Sequence, residues 1–207
     1  MNTGRRGPTG SPPPPPEWLA TASLPIVEVP ADSSLVRIHR SDVSPIFFSP
    51  SPGKAPIGRF DSARGNFGVL YAAETFEGAF VETVLRNPER RLIDLAEITS
   101  RAITVFGLSR PVRLVEMRAA GLQALGTDNA VSTGPYGPCG AWADALFAHP
   151  DKPDGIAYAS RHDPNQACVA LFSRPDVTLE VLSGPNPLAD MLIDVADLLR
   201  RYGKGLG

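Results

Sequence analysis

The chain has 207 residues, 43% of them apolar and 20% charged, with a formal net charge of −2. That is room for one substantial domain with a packed core and some length left for a tail. The charge disfavours a strongly basic nucleic-acid-binding face, and no run approaches the roughly eighteen apolar residues of a membrane-spanning helix.

The first sixteen residues are mostly Gly, Pro, Ser and Arg, with almost nothing apolar, and end in five consecutive prolines. Residues 1–20 therefore read as a disordered or extended tail ahead of a single domain over 21–207. Arg5–Arg6 is followed by Pro12–Pro16 and not by an apolar segment, so no twin-arginine export signal is read. "SLVRIHR" (34–40) alternates in polarity and predicts a half-buried strand. Residues 41–68 form a long Ser-, Pro- and Gly-rich loop, of the kind that is usually functional or disordered. "VLYAA" (69–73) reads as a buried strand. Thr75 then caps a helix running to about Arg86, with Glu77 in its first turn and Pro88 just past its end. Phe76, Ala79, Phe80, Thr83 and Val84 share one face of it.

Ala102–Gly107 and "VRLVEM" (112–117) predict further strands. Residues 121–132 read mostly as loop with one helical turn. A helix over Gly140–His149 follows the flexible "GPYGPCG". Strands are expected at "GIAYAS" (155–160), "QACVALF" (166–172) and "VTLEVL" (177–182). Leu188, Met191, Leu192, Val195, Leu198 and Leu199 mark an amphipathic C-terminal helix. Strands outnumber helices without steady βαβ alternation. The expected class is α+β, a compact mixed or antiparallel β core with flanking helices.

Common chemical signatures are missing. His39, His149 and His162 share no metal-ligand spacing, and no metal is expected. Cys139 and Cys168 lack CxxC spacing and fit a reduced, cytoplasmic protein. The terminal "GKGLG" has no strand before it and no helix after it, and there is no G-x-S-x-G elbow. What remains is a scattered polar set, and each member has an ordinary explanation. Arg37 suits a solvated charge on a half-exposed strand, and Arg59 a surface loop. Tyr71 suits a core tyrosine whose hydroxyl finds a partner. Glu82 lies away from the apolar helix face, with Arg86 at i+4 as an exposed partner. Ser160, before "RHDPN", suits a turn. Residue types alone define no function.

The order of the segments carries more. "LVRIHR", "GRF", "GVLYAAETFEGAFVETV" and "GIAYASRHDPNQACVALF" together resemble a RES domain across roughly Leu35–Leu182. The resemblance implies an ADP-ribosyltransferase-like fold and the toxin half of a bacterial toxin–antitoxin pair. It implies cleavage of NAD⁺, the substrate, at the nicotinamide–ribose bond, as a glycohydrolase or phosphorylase. Alternatives are mono-ADP-ribosylation of a host protein, or a non-catalytic partner of a DNA-binding antitoxin. The implied partner is a helix-turn-helix, Xre-like antitoxin that plugs the pocket, around a toxin homodimer. Neither direct nucleic-acid binding nor membrane contact is implied.

By that resemblance Arg37, Glu82 and Ser160 match the three name-giving positions and are the implied catalytic residues. Arg37, Arg59, Tyr71, Ser160 and His39 are the implied NAD⁺-binding set. The family loop commonly reads Gly-Gly-Arg-Trp followed by Asn, where this chain has Ile57–Gly58–Arg59–Phe60–Asp61. The residue types suit the chemistry. Arginine forks match a pyrophosphate, and a carboxylate can stabilise the oxocarbenium character that develops on the ribose. Tyr71 offers an aromatic surface, and Ser160 a hydrogen bond to a phosphate or an acceptor. His39 shares a strand face with Arg37 and can assist at the ribose. The apolar "SPIFF" segment serves either dimer or antitoxin contact, or folds back into the core.

Overall fold

A computed structural model describes residues 10–51 and 53–207. In chain order the elements are β1 (Ile26–Val29), β2 (Ser34–Arg40), β3 (Val69–Ala73), α1 (Phe76–Thr83), β4 (Leu92–Ile93) and α2 (Leu95–Thr99). There follow β5 (Arg101–Leu108), β6 (Val112–Met117), α3 (Ala119–Ala124), α4 (Ala130–Thr133) and α5 (Tyr136–Phe147). The chain closes with β7 (Gly155–Ala159), β8 (Ala167–Phe172), β9 (Leu179–Pro187), α6 (Leu192–Arg201) and β10 (Gly205–Leu206). Eight strands form one sheet in the order β1-β6-β7-β8-β3-β2-β5-β9, antiparallel except for the β6–β7 pair. β4 and β10 make a separate parallel pair. The class is α+β, as expected.

Both faces of the sheet are covered, each by its own apolar cluster. On one face Phe80 of α1, Trp142 and Leu146 of α5, and Val195, Leu198 and Leu199 of α6 pack over Val36, Ile38, Val69, Ile156 and Phe172. Each fully buried side chain of this size contributes about 1.5–3 kcal/mol relative to exposure. On the other face Leu35, Leu70, Leu114 and Leu171 are joined by Ile46 and Phe48 from the long loop. The "SPIFF" segment is thus folded back into the core through these two side chains, while Phe47 stays exposed. Among the described residues no helix is long and apolar enough to cross a membrane.

Several elements differ from expectation for local reasons. α1 ends at Thr83, short of Arg86; Asn87 precedes Pro88, and a residue before proline is steered away from helical geometry. α5 begins at Tyr136, inside the segment expected to be flexible. Pro135 caps it and Pro138 falls in its first turn, where a missing N–H costs nothing. Residues 119–124 and 130–133 are helical where mostly loop was expected, and β1 was not anticipated. β9 runs on to Pro187; as the outermost strand it tolerates prolines.

The proline-rich segment is also more engaged than a tail. Trp142 Nε1 donates to Pro13 O at 2.8 Å, Leu19 is buried, and His149 Nε2 hydrogen-bonds Leu19 O at 3.0 Å. A buried indole needs an acceptor, and the polyproline backbone supplies it. Residues 1–9 of the expected tail lie outside the described residues.

Candidate active site

β2 and β3 pair at a single register position, Val36↔Ala73, while β2 pairs with β5 along its whole length. Beyond that point β2 and β3 part. A cavity of about 710 Å³ opens in the split, with Arg37, Ile38 and His39 on one wall, and Tyr71, Ala72 and Glu82 on another. The loop carrying Gly58 and Arg59 and the turn carrying Arg161 and His162 complete it.

Glu82 reaches this cleft from the flank of α1. Thr75 Oγ1 accepts from Gly78 N at 3.0 Å, which fixes the start of the helix and hence the direction of that flank. The Glu82 carboxylate is held from two sides. Ser160 Oγ donates to Oε1 at 2.5 Å and the Tyr158 hydroxyl to Oε2 at 3.2 Å. Tyr158 and Ser160 are alternate residues at the end of β7 and so point the same way. Burial, followed by the Glu82 charge, pushes the Tyr158 phenol well above its ordinary value, so it remains a donor. Ser160 Oγ in turn accepts from His162 N at 3.1 Å. Arg86 turns away from Glu82 and donates to the Tyr136 hydroxyl at 2.9 Å, so the i,i+4 surface pair is not formed.

The cleft is electrostatically one-sided. Arg40 is paired with Asp42, and Arg90 and Arg101 share Glu97. Arg37, Arg59, Arg86 and Arg161 line the cavity without an ion-pair partner among the described residues. Burial lowers Arg37 to about 10, still protonated at neutral pH; its Nη1 donates to Phe47 O at 3.2 Å. Arg59 Nη1 donates to Gly134 O at 2.5 Å, and its guanidinium lies 5.2 Å from the centre of the Tyr136 ring. A half-enclosed site with surplus arginine forks suits an anion carrying several oxygens.

Two of the expected residues sit differently from their implied parts. The Tyr71 hydroxyl faces inward, accepting from Phe60 N at 2.8 Å and donating to Asp61 Oδ1 at 2.9 Å. Asp61 Oδ2 also accepts from Ile57 N at 2.8 Å and Gly58 N at 2.6 Å. Asp61 is 1% exposed and is the hub that folds the Arg59 loop. A Cβ at Gly58 would sit 2.6 Å from the Tyr71 oxygen, so only glycine fits there. His39 lines the cleft on the same strand as Arg37, but both ring nitrogens are engaged, with Arg40 O and Thr104 Oγ1, each at 2.9 Å.

Tyr158, Asp61, Arg86 and Arg161 were absent from the expected site. Alternation along "GIAYAS" puts Tyr158 on the side of Ser160, a signal that was present in the sequence. Asp61, beside Arg59, stood out only as a departure from the family loop. Nothing local distinguishes Arg86 or Arg161 from ordinary surface arginines.

His39 and His162 are both held below the ordinary value of 6.5, chiefly by burial. Around His162 the charges of Arg161, Arg86 and Arg59 add to this, and Glu82 opposes it. A depressed histidine favours the folded state while neutral, so its contribution is full above pH 6.5. It is lost as pH falls below 6.5, where the unfolded chain binds the proton first. The urea midpoint is expected to be lower at pH 5 than at pH 7.5, and replacing His162 by Gln should shrink the difference.

The split sheet and its arginine-lined cleft around one hydrogen-bonded carboxylate define an α+β protein with a cleft whose charge suits an anion. The RES domain family matches residues 34–189, and the chain belongs to that family. It is 32% identical over 108 residues to "Probable toxin y4kH" of Sinorhizobium fredii (strain NBRC 101917 / NGR234), covering 52% of this chain and 84% of that protein. Its fold is similar to that of a chain in the crystal structure of the M. tuberculosis MbcT-MbcA toxin-antitoxin complex. The TM-score is 0.54 and the identity 12%, over 79% of this chain and 90% of that one. At that identity the likeness is one of fold.

Proposed function

We propose that this chain is the toxin of a toxin–antitoxin pair and that it cleaves NAD⁺ at the nicotinamide–ribose bond. The observation that carries the reading is the Glu82 carboxylate, fixed by Ser160 and Tyr158 in a cleft whose surplus charge is four arginines. Membership of the RES family and the similarity to a probable toxin support it.

In this reading the arginines hold the pyrophosphate, with Arg37 and Arg59 as the principal contacts. The C1′–N bond breaks, and its electron pair leaves with the nicotinamide nitrogen. The ring is neutralised as it departs, so no strong general acid is needed. Positive charge grows on the ribose, and Glu82 stabilises it, hydrogen-bonding ribose hydroxyls as it does so. Ser160 and Tyr158 keep the carboxylate oriented, and its cost of reorganisation stays low. Tyr71 acts mainly by holding the Arg59 loop through Asp61. His39 acts mainly by bracing β2 against β5, a contribution to the binding wall more than to the ribose. An acceptor then takes C1′, with water giving ADP-ribose and phosphate giving its 1-phosphate. A cytoplasmic setting, a helix-turn-helix, Xre-like antitoxin seated over the cleft and a toxin homodimer belong to the same proposal.

Incubating the purified protein with NAD⁺ labelled in its adenylate half, with and without cell lysate, tests the reading. Free labelled ADP-ribose or its phosphate is the expected product. Label retained on protein would replace hydrolysis or phosphorolysis by mono-ADP-ribosyl transfer. No loss of NAD⁺ in either arm would refute the enzyme reading.

A further inference from the structure

The family match ends at residue 189, yet the C-terminal helix sends a side chain back to the site's supports. The Tyr202 hydroxyl lies 2.8 Å from Glu77 Oε1 and 2.7 Å from Asp163 Oδ2. Glu77 stands on α1, the helix that carries Glu82. Asp163 belongs to the turn after β7, whose first residue is Ser160 and whose Arg161 and His162 line the cleft. These two segments meet at the Ser160–Glu82 hydrogen bond. Tyr202 ties them together a second time, through Glu77 and Asp163.

The remaining contacts fit a clasp. Asp163 N approaches Ser160 Oγ at 3.4 Å, Ser160 N donates to Gln166 O at 3.0 Å, and Thr75 Oγ1 donates to Gln166 Oε1 at 3.1 Å. Arg201 ion-pairs with Glu77, and Asn165 N donates to Asp163 Oδ1 at 3.0 Å. A phenol has one proton and donates to one carboxylate at a time. Each carboxylate here has another donor, so neither is stranded when the proton serves the other. Burial, then the hydrogen bonds to Asp163 and Glu77, raise the Tyr202 phenol above its ordinary value and keep that proton in place.

We propose that Tyr202 is a positioning residue for the site: it clasps α1 to the 160–166 turn and so holds the Ser160–Glu82 pair in register. The catalytic consequence rests on the NAD⁺-cleaving reading above; the clasp itself does not.

Tyr202→Phe removes only the hydroxyl, and two measurements on the full chain judge it separately. Hydrogen exchange at the amides of His162 and Asp163, which face Ser160 Oγ, is expected to quicken at least fivefold while exchange in β5 and β8 is unchanged. Turnover of NAD⁺ is expected to fall about fivefold at unchanged KM, the size of one lost hydrogen bond. Ser160→Ala with Tyr202→Phe should be no slower than Ser160→Ala alone, because both act through the same pair. Unchanged exchange in the turn would overturn the clasp. Multiplicative losses in the double variant would overturn its action through Ser160. If the parent protein leaves NAD⁺ intact, the NAD⁺ reading fails while the exchange result still decides the clasp. Global loosening would quicken exchange in β5 and β8 as well, and that result would also overturn the proposal.

Discussion

Glu82→Gln is expected to lower NAD⁺ turnover by about 10²- to 10³-fold, the cost of removing a preorganised electrostatic contact to a developing charge. The substitution keeps the shape of the side chain and one acceptor oxygen, so the Ser160 hydroxyl still has a partner. Its midpoint of thermal unfolding should stay close to that of the parent. KM should change far less than kcat, because the arginines that bind the pyrophosphate are untouched. On induced expression the variant should permit growth where the parent arrests it. A variant as toxic and as active as the parent would remove Glu82 from the mechanism.

Asp61→Ala is expected to cause the largest loss of stability at the site, about 3–5 kcal/mol. The carboxylate is buried and accepts from Ile57 N, Gly58 N and the Tyr71 hydroxyl. Removing it strands the buried Tyr71 hydroxyl and leaves the half-buried Gly58 N–H without its acceptor, while the N–H of exposed Ile57 turns to water. Domain stabilities are only about 5–15 kcal/mol. Asp61→Asn is milder, at about 1–2 kcal/mol, because an amide offers a single acceptor oxygen to the same three donors. Urea unfolding separates the two variants. Equal midpoints for Asp61→Ala and the parent would contradict the hub. In both variants affinity for the dinucleotide should fall, since Arg59 rides on the loop.

Most of the site's framework was legible in the sequence because its elements are strongly patterned. "SLVRIHR" and "VLYAA" became β2 and β3 at the expected boundaries, although β2 is not half-buried as expected. Leu35 and His39 on one face and Val36 and Ile38 on the other are all buried, because the sheet is covered on both sides. Glu82 shows where pattern reading stops. Its position on the helix flank was plain, but whether that flank faces water or a cleft depends on β2 and β3 parting after Val36↔Ala73. No local signal encodes that separation. The order of segments shared with the RES domain supplied what the period could not.

Tyr71 lines the cleft, but its hydroxyl is spent on the loop. Its residue type suits stacking on a ligand, and the bland reading, a tyrosine whose hydroxyl finds a partner, describes its contacts better. The partner, Asp61, was visible only as a departure from the family loop. Glycine and proline in "GPYGPCG" predict flexibility, yet α5 starts there at Tyr136, since proline in a first helical turn favours a start. Tyr202 was beyond reach from sequence, since its contacts with Glu77 and Asp163 join residues far apart in the chain.

In the proposed reading one cleft, lined by Arg37, Arg59, Arg86 and Arg161 around Glu82, consumes NAD⁺. The most direct test follows NAD⁺ and free nicotinamide over time with purified parent and Glu82→Gln protein, with and without added phosphate. Stoichiometric release of nicotinamide by the parent, nearly absent in the variant, is the predicted result. NAD⁺ persisting unchanged with the parent under both conditions would contradict it.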